Sequence, residues 1–164
     1  FEDDRGFFLE HYNQKAFHEY GIGMEFVQDN HSQSSKHVLR GLHFQVPPHA
    51  QDKLIWVVRG EIFDVAVDLR RNSSTFGEWQ GVVLSEDNKH MFWIPKGFAH
   101  GFVALSEKVD VIYKTTDFYS KEHDCGLIWN DADVSIAWPI SNPVLSIKDQ
   151  NLPSLKDILK EGVI

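Results

Sequence analysis

Leu39-Arg40-Gly41-Leu42-His43-Phe44-Gln45, Lys53-Leu54-Ile55-Trp56-Val57-Val58 and Ile62-Phe63-Asp64-Val65-Ala66-Val67-Asp68-Leu69 follow one another with short breaks. Each run is rich in β-branched and aromatic residues, which suit a pleated, half-buried surface. Turn signals close the runs: Pro47-Pro48, Arg59-Gly60 and Asn72-Ser73-Ser74. Working outward, the same strand character returns in Phe26-Val27-Gln28 and over residues 81–84, 91–94, 102–105 and 109–118. Glu86-Asp87-Asn88 and Pro95-Lys96-Gly97 punctuate the later runs. Short strands at this spacing predict an antiparallel sandwich or barrel. Helical signals are confined to the edges. Asn13 is placed to cap a short helix through Phe17, and Pro153 to open another with Leu155, Ile158 and Leu159 on its apolar face. The expectation is an all-β barrel with short peripheral helices, one domain over residues 1–164.

The composition fits. The 164 residues are 42% hydrophobic and 24% charged, with a net charge of -8. An acidic total argues against a broad nucleic-acid surface, which needs clustered Lys and Arg. It leaves room for a small basic pocket that holds one phosphorylated metabolite. No apolar run is long enough to span a bilayer, so no membrane partner is expected. Cys125 is the one cysteine, so neither an intrachain disulfide nor a Cys-rich zinc site is available. A reducing, cytoplasmic setting is consistent with this.

Strand alternation sorts the polar side chains by face. His43 and Gln45 fall with Leu39 and Gly41, and Lys53 with Ile55 and Val57. Tyr113 falls with Val109, Val111, Thr115, Asp117 and Tyr119. A lysine in register with apolar neighbours either ends the strand in water or enters a cavity, and periodicity leaves both open.

Two segments bear on that choice. Gly41-Leu42-His43-Phe44-Gln45 is followed by Lys53 and Gly60, and later comes Pro95-Lys96-Gly97-Phe98-Ala99-His100-Gly101. Together they resemble the paired motifs of the cupin superfamily, a small jelly-roll barrel. The second motif, Pro-x-Gly-x-x-His, is intact. In the first, Gln45 stands where metal-binding cupins have a second His, and Lys53 where they have Glu. A charged ammonium has no lone pair for a metal and is repelled by a divalent cation. The expectation is therefore a cupin pocket without metal or other cofactor, with His43 and His100 free for proton chemistry.

The resemblance narrows further. Phe1-Glu2-Asp3-Asp4-Arg5-Gly6-Phe7-Phe8, Gln28-Asp29-Asn30-His31-Ser32, Leu39 to Gln45, Asp64-Val65-Ala66-Val67-Asp68-Leu69-Arg70, Gly97 to Phe102 and Trp129-Asn130-Asp131 are similar to the dTDP-4-dehydrorhamnose 3,5-epimerases. That resemblance implies a metal-free cupin, a homodimer and a dTDP-4-keto-6-deoxy sugar as substrate. It also implies a place in dTDP-rhamnose biosynthesis. It implies His43 as base with Asp149 as its carboxylate, Lys53 at the enolate oxygen and Tyr113 as acid. Substrate contacts are implied for Arg5, Phe7, Glu10, Gln28, Asn30, Arg40, His100 and Tyr119. A cation near Tyr113 is expected to lower its pKa. Arg40 is awkward, because strict alternation puts it on the face opposite His43; a bulge at Gly41 or use by a neighbouring subunit's site would resolve this. Family members carry a strand ahead of the segment matching Phe1–Phe8, and this chain starts after it. Inversion at C3 alone, at C5 alone, or movement of the ketone along the ring stay open as narrower outcomes.

Overall fold

The computed structural model describes residues 1–164. Two antiparallel sheets face each other. We number the strands β1 (Glu2–Asp3), β2 (Gly6–Phe7), β3 (Gln28–Ser35), β4 (Leu39–Gln45), β5 (Lys53–Arg59), β6 (Glu61–Asp68), β7 (Trp79–Ser85), β8 (Met91–Ile94), β9 (Phe98–Ala104), β10 (Lys108–Thr115) and β11 (Asp124–Gly126). One sheet has the order β3-β10-β5-β8, the other β11-β4-β9-β6-β7, and β1 and β2 form a separate small hairpin. The helices are short: α1 (Gln14–Glu19), α2 (Ile147–Gln150) and α3 (Leu155–Lys160). This is the antiparallel arrangement with peripheral helices that the strand pattern predicts, in the jelly-roll form that the resemblance implies.

Two apolar clusters explain the layering. Ile55, Val57, Ile62, Ala66, Phe102, Ala104, Val109 and Val111 fill the space between the sheets. Leu42, Phe44, Val65, Val67, Ala99 and Leu127 form the opposite face of the five-stranded sheet, where Leu155 and Ile158 of α3 cover them. Alternation along β6 thus sends Val65 and Val67 outward under α3, and Ile62 and Ala66 inward. Asn13 caps α1 as expected, accepting from the Ala16 amide at 3.3 Å. α3 opens on Ser154 rather than Pro153, through a capping box with Asp157. A proline has no hydroxyl to accept from the first turn, so the residue after it takes that part.

The sequence reading misjudged β3. Only Gln28 of its eight residues lay within a predicted strand, because Gln-Asp-Asn-His-Ser-Gln-Ser-Ser has no apolar periodicity. Pairing with β10 along its whole length, from Lys108↔Ser35 to Thr115↔Gln28, makes it a strand. Its inward side chains are polar because they line a cleft and not the core.

Candidate active site

β4 carries the first decisive feature. Leu39 and Arg40 pair with Val103 and Phe102 of β9, but the next paired residue is His43, opposite His100. Two residues of β4 thus stand against Gly101 alone, which is a β-bulge. Gly41 adopts φ +112°, and a Cβ there would sit 2.6 Å from the His100 carbonyl oxygen. Only glycine tolerates both conditions. The extra residue shifts the phase of alternation, so Arg40 rather than Leu39 joins His43 on the inner face. The grouping of His43 with Leu39 is corrected accordingly. The awkward arginine is re-aimed within its own chain and donates to Ser34 Oγ at 2.9 Å and to the Gln33 carbonyl at 3.0 Å.

The inner face opens into a cleft with two adjoining lobes. One, of about 310 Å³, is lined by Gln28, Asn30, His43, Phe44, Gln45, Gln51, Lys53, Tyr113, Thr115, Tyr119, Asp124 and Lys148. The other, of about 270 Å³, is lined by Ser32, Arg40, His43, Lys53, His100, Phe102, Tyr113, Ser146, Lys148 and Asp149. His43, Lys53, Tyr113 and Lys148 belong to both and form the wall between them.

His43 Nε2 lies 2.6 Å from Asp149 Oδ1. Asp149 is brought there by α2, whose cap, Ser146 Oγ, accepts from the Asp149 amide at 3.0 Å. Burial pushes the Asp149 carboxyl up, but hydrogen bonds from His43, Ser146 and the Gly41 amide outweigh it and hold the pKa below the usual range. A carboxylate kept ionised against one ring nitrogen orients the imidazole and leaves Nδ1 as the base. A second pair sits beside it: His100 Nε2 is 2.6 Å from Asp64 Oδ1. Burial lowers the His100 pKa despite the opposing charge of Asp64.

Lys53 enters the cavity, which settles the choice that periodicity left open. Its Nζ donates to the His43 carbonyl oxygen at 3.4 Å. Burial brings its pKa down to about 8, against the pull of Asp124 and Asp64. It is therefore mostly a cation at neutral pH, with N–H donors free for a ligand. For Tyr113 the expected downward shift is reversed. Arg40 does pull its pKa down, but burial is larger and raises it. The phenol stays protonated at neutral pH, as an acid must. Gln45 is committed elsewhere: its amide donates to the His49 and Phe118 carbonyls and accepts from the Ser120 amide.

The cleft thus gathers His43, Asp149, Lys53, Tyr113, Gln28, Asn30, Arg40, His100 and Tyr119. It does not gather Arg5, Phe7 or Glu10. Arg5 is 89% exposed and paired with Asp3 of the same hairpin. Phe7 is 60% exposed and lies under the Lys89 ammonium, 4.1 Å from its ring centre. Glu10 accepts from Asn13 Nδ2 at 3.0 Å. Phe7 sits by Trp56, Val58 and Met91 of β5 and β8, and none of the three lines the cleft of its own chain.

Sequence reasoning missed Asp64, Asp124 and Lys148 as members of the site. Asp64 carried a signal: a carboxylate in phase with Ile62 and Ala66 on an inward face needs a buried partner. Asp124 and Lys148 carried none, because no periodicity relates their segments. Lys148 Nζ reaches Asp124 Oδ2 at 2.6 Å and Tyr119 Oη donates to the same oxygen at 3.0 Å. Burial opposes the charge on Lys148, but the bond to Asp124 outweighs it and raises its pKa.

Comparison with known proteins identifies the family. The family model described as dTDP-4-dehydrorhamnose 3,5-epimerase matches residues 1–157. The dTDP-4-dehydrorhamnose 3,5-epimerase of Shigella flexneri is 57% identical over 152 residues, covering 92% of this chain and 84% of the relative. The crystal structure of the Bacillus anthracis enzyme of that name, with TDP and PPi bound, superposes with a TM-score of 0.93 at 51% identity, covering 94% of this chain and 89% of that one. The Legionella pneumophila dTDP-6-deoxy-D-glucose-3,5-epimerase, solved with dTDP-4-keto-L-rhamnose, gives a TM-score of 0.94 at 48% identity, covering 100% of this chain and 87% of that one. With a family model over nearly its full length, and relatives more than half identical, the chain belongs to the dTDP-4-dehydrorhamnose 3,5-epimerase family.

Proposed function

We propose that this protein inverts C3 and C5 of dTDP-4-dehydro-6-deoxy-D-glucose to give dTDP-4-dehydro-L-rhamnose. The observation that carries the reading is one cleft wall holding a carboxylate-oriented imidazole, a half-buried ammonium and a half-buried neutral phenol. A C–H beside a ketone is a weak acid, and its removal leaves an enolate with charge on the former carbonyl oxygen. His43 removes that proton through the nitrogen not engaged by Asp149. Lys53 meets the developing oxyanion in a site partly closed to water, where one such donor contributes about 3–4 kcal/mol. Tyr113 returns a proton to the opposite ring face, and this change of face is the inversion. Neither metal nor redox cofactor is needed for these steps.

Arg40 and Lys148 supply cations for the diphosphate, and Gln28, Asn30 and Tyr119 supply amides and a ring for the base. His100, steadied by Asp64, walls the sugar lobe. The protein acts as a homodimer in which the N-terminal hairpin of a second copy brings Arg5, Phe7 and Glu10 to the nucleotide. Support comes from the exposed apolar side chains of that segment, Phe1, Phe7 and Phe8, which one chain leaves uncovered. Incubation with the 4-keto sugar nucleotide in heavy water is expected to place deuterium at C3 and C5 of the product. Exchange at one carbon alone would narrow the activity to a single inversion, and exchange at neither would end the epimerase reading.

A further inference from the structure

Two inversions by one base and one acid leave a proton imbalance, and this inference rests on the epimerase reading. Each inversion moves a proton from a ring carbon to His43 and another from Tyr113 to the opposite face. After the first, His43 is an imidazolium and Tyr113 a phenolate. Neither can repeat its part until His43 has given up a proton and Tyr113 has regained one. We propose that Lys53 carries this proton, resetting the site between the two inversions. The Lys53 ammonium gives a proton to the Tyr113 phenolate, which restores the phenol and leaves a neutral amine with a lone pair. That amine takes the proton from the His43 imidazolium, which restores the imidazole and the ammonium. One proton has moved from His43 to Tyr113, and no bond in the sugar has changed.

The arrangement of the wall singles out Lys53. It lines both lobes beside His43 and Tyr113. Tyr113 stands opposite Ile55 on the neighbouring strand, one inward position along from Lys53. The Lys53 ammonium has no carboxylate partner, and its one hydrogen bond is the 3.4 Å contact with the His43 carbonyl. Its rivals are tied down. Lys148 is held as a cation by Asp124 at 2.6 Å. His100 is buried against Asp64 at 2.6 Å. Arg40 does not release a proton at neutral pH. The proton affinities run the right way as well. The Lys53 pKa of about 8 lies below that of the raised Tyr113 phenol, so the transfer that restores the phenol runs downhill.

Lys53→Arg tests this, because arginine keeps the cation but does not give up its proton. With products quenched during single turnover, the ratio of singly to doubly inverted sugar is expected to rise at least about tenfold over wild type, whatever the first inversion loses. Oxyanion stabilisation serves both inversions alike, so its loss alone leaves that ratio unchanged. An unchanged ratio would overturn the relay and leave Lys53 as an oxyanion partner only. Failure of the wild type to exchange at either carbon would instead remove the epimerase reading beneath it. If arginine does not fit the barrel, Lys53→Met, apolar and easier to bury, takes its place: a raised ratio supports the relay and an unchanged one overturns it.

Discussion

Lys53 shows at the scale of one side chain how function and stability oppose each other. Burial holds its pKa near 8 instead of 10.5, so the fold disfavours the charge that the chemistry uses. The unfolded chain binds more protons between those two values, so this residue makes stability rise with pH across that window. Lys53→Met is expected to stabilise the protein by about 1–3 kcal/mol at neutral pH while removing nearly all activity. Urea unfolding at pH values spanning the window should show the gain shrinking as pH climbs. For Asp149 the fold favours the charge instead, and its depressed pKa contributes stability that is lost as acid protonates it, so stability again rises with pH, in an acid window. Asp149→Asn is expected to lower kcat by about a hundredfold or more with little change in KM, because the amide no longer fixes the imidazole tautomer. Steady-state kinetics on the folded variant decide this. Sequence chemistry exposed Lys53 and His43 as candidates, since an ammonium and an imidazole in phase with apolar residues call for a reason. It did not expose Asp149, which lies 106 residues from His43; only the family likeness pointed there.

At the scale of elements, β4 and β3 mark where pattern reading succeeds and where it stops. β4, β5, β6, β8 and β10 are legible because apolar and β-branched residues recur along them. The phase slip in β4 is not, because a bulge is set by backbone approach and leaves no periodic trace. β3 is invisible for a different reason: it serves a cleft, so its inward positions carry amides and hydroxyls. Gly41→Ala should reveal how much depends on the slip. The added methyl meets the His100 carbonyl in a backbone conformation that only glycine adopts freely. A destabilisation of ~2 kcal/mol or more is expected by chemical denaturation, with activity lost beyond what unfolding explains, since Arg40 and His43 move together.

For the whole molecule, the two sheets are covered unequally. The C-terminal segment and α3 seal the outer face of the five-stranded sheet, while the N-terminal segment leaves Phe1, Phe7 and Phe8 in solvent. If that segment completes the site of a second copy, lesions in the two parts must complement. Co-expressing His43→Ala with Arg5→Ala is expected to restore about a quarter of wild-type activity, because half of randomly mixed dimers hold one intact site. No restoration would place Arg5 with its own chain's cleft, and full activity of Arg5→Ala alone would place it outside the chemistry. The main-chain contact between Gly41 and Gly101 also reaches beyond this reaction. It leaves no room for a side chain where the two histidine-bearing strands meet, so that seam is fixed by backbone alone. Anyone wishing to retarget the enzyme should leave that seam alone and vary Ser32, which faces the sugar lobe from a strand that bears little of the core.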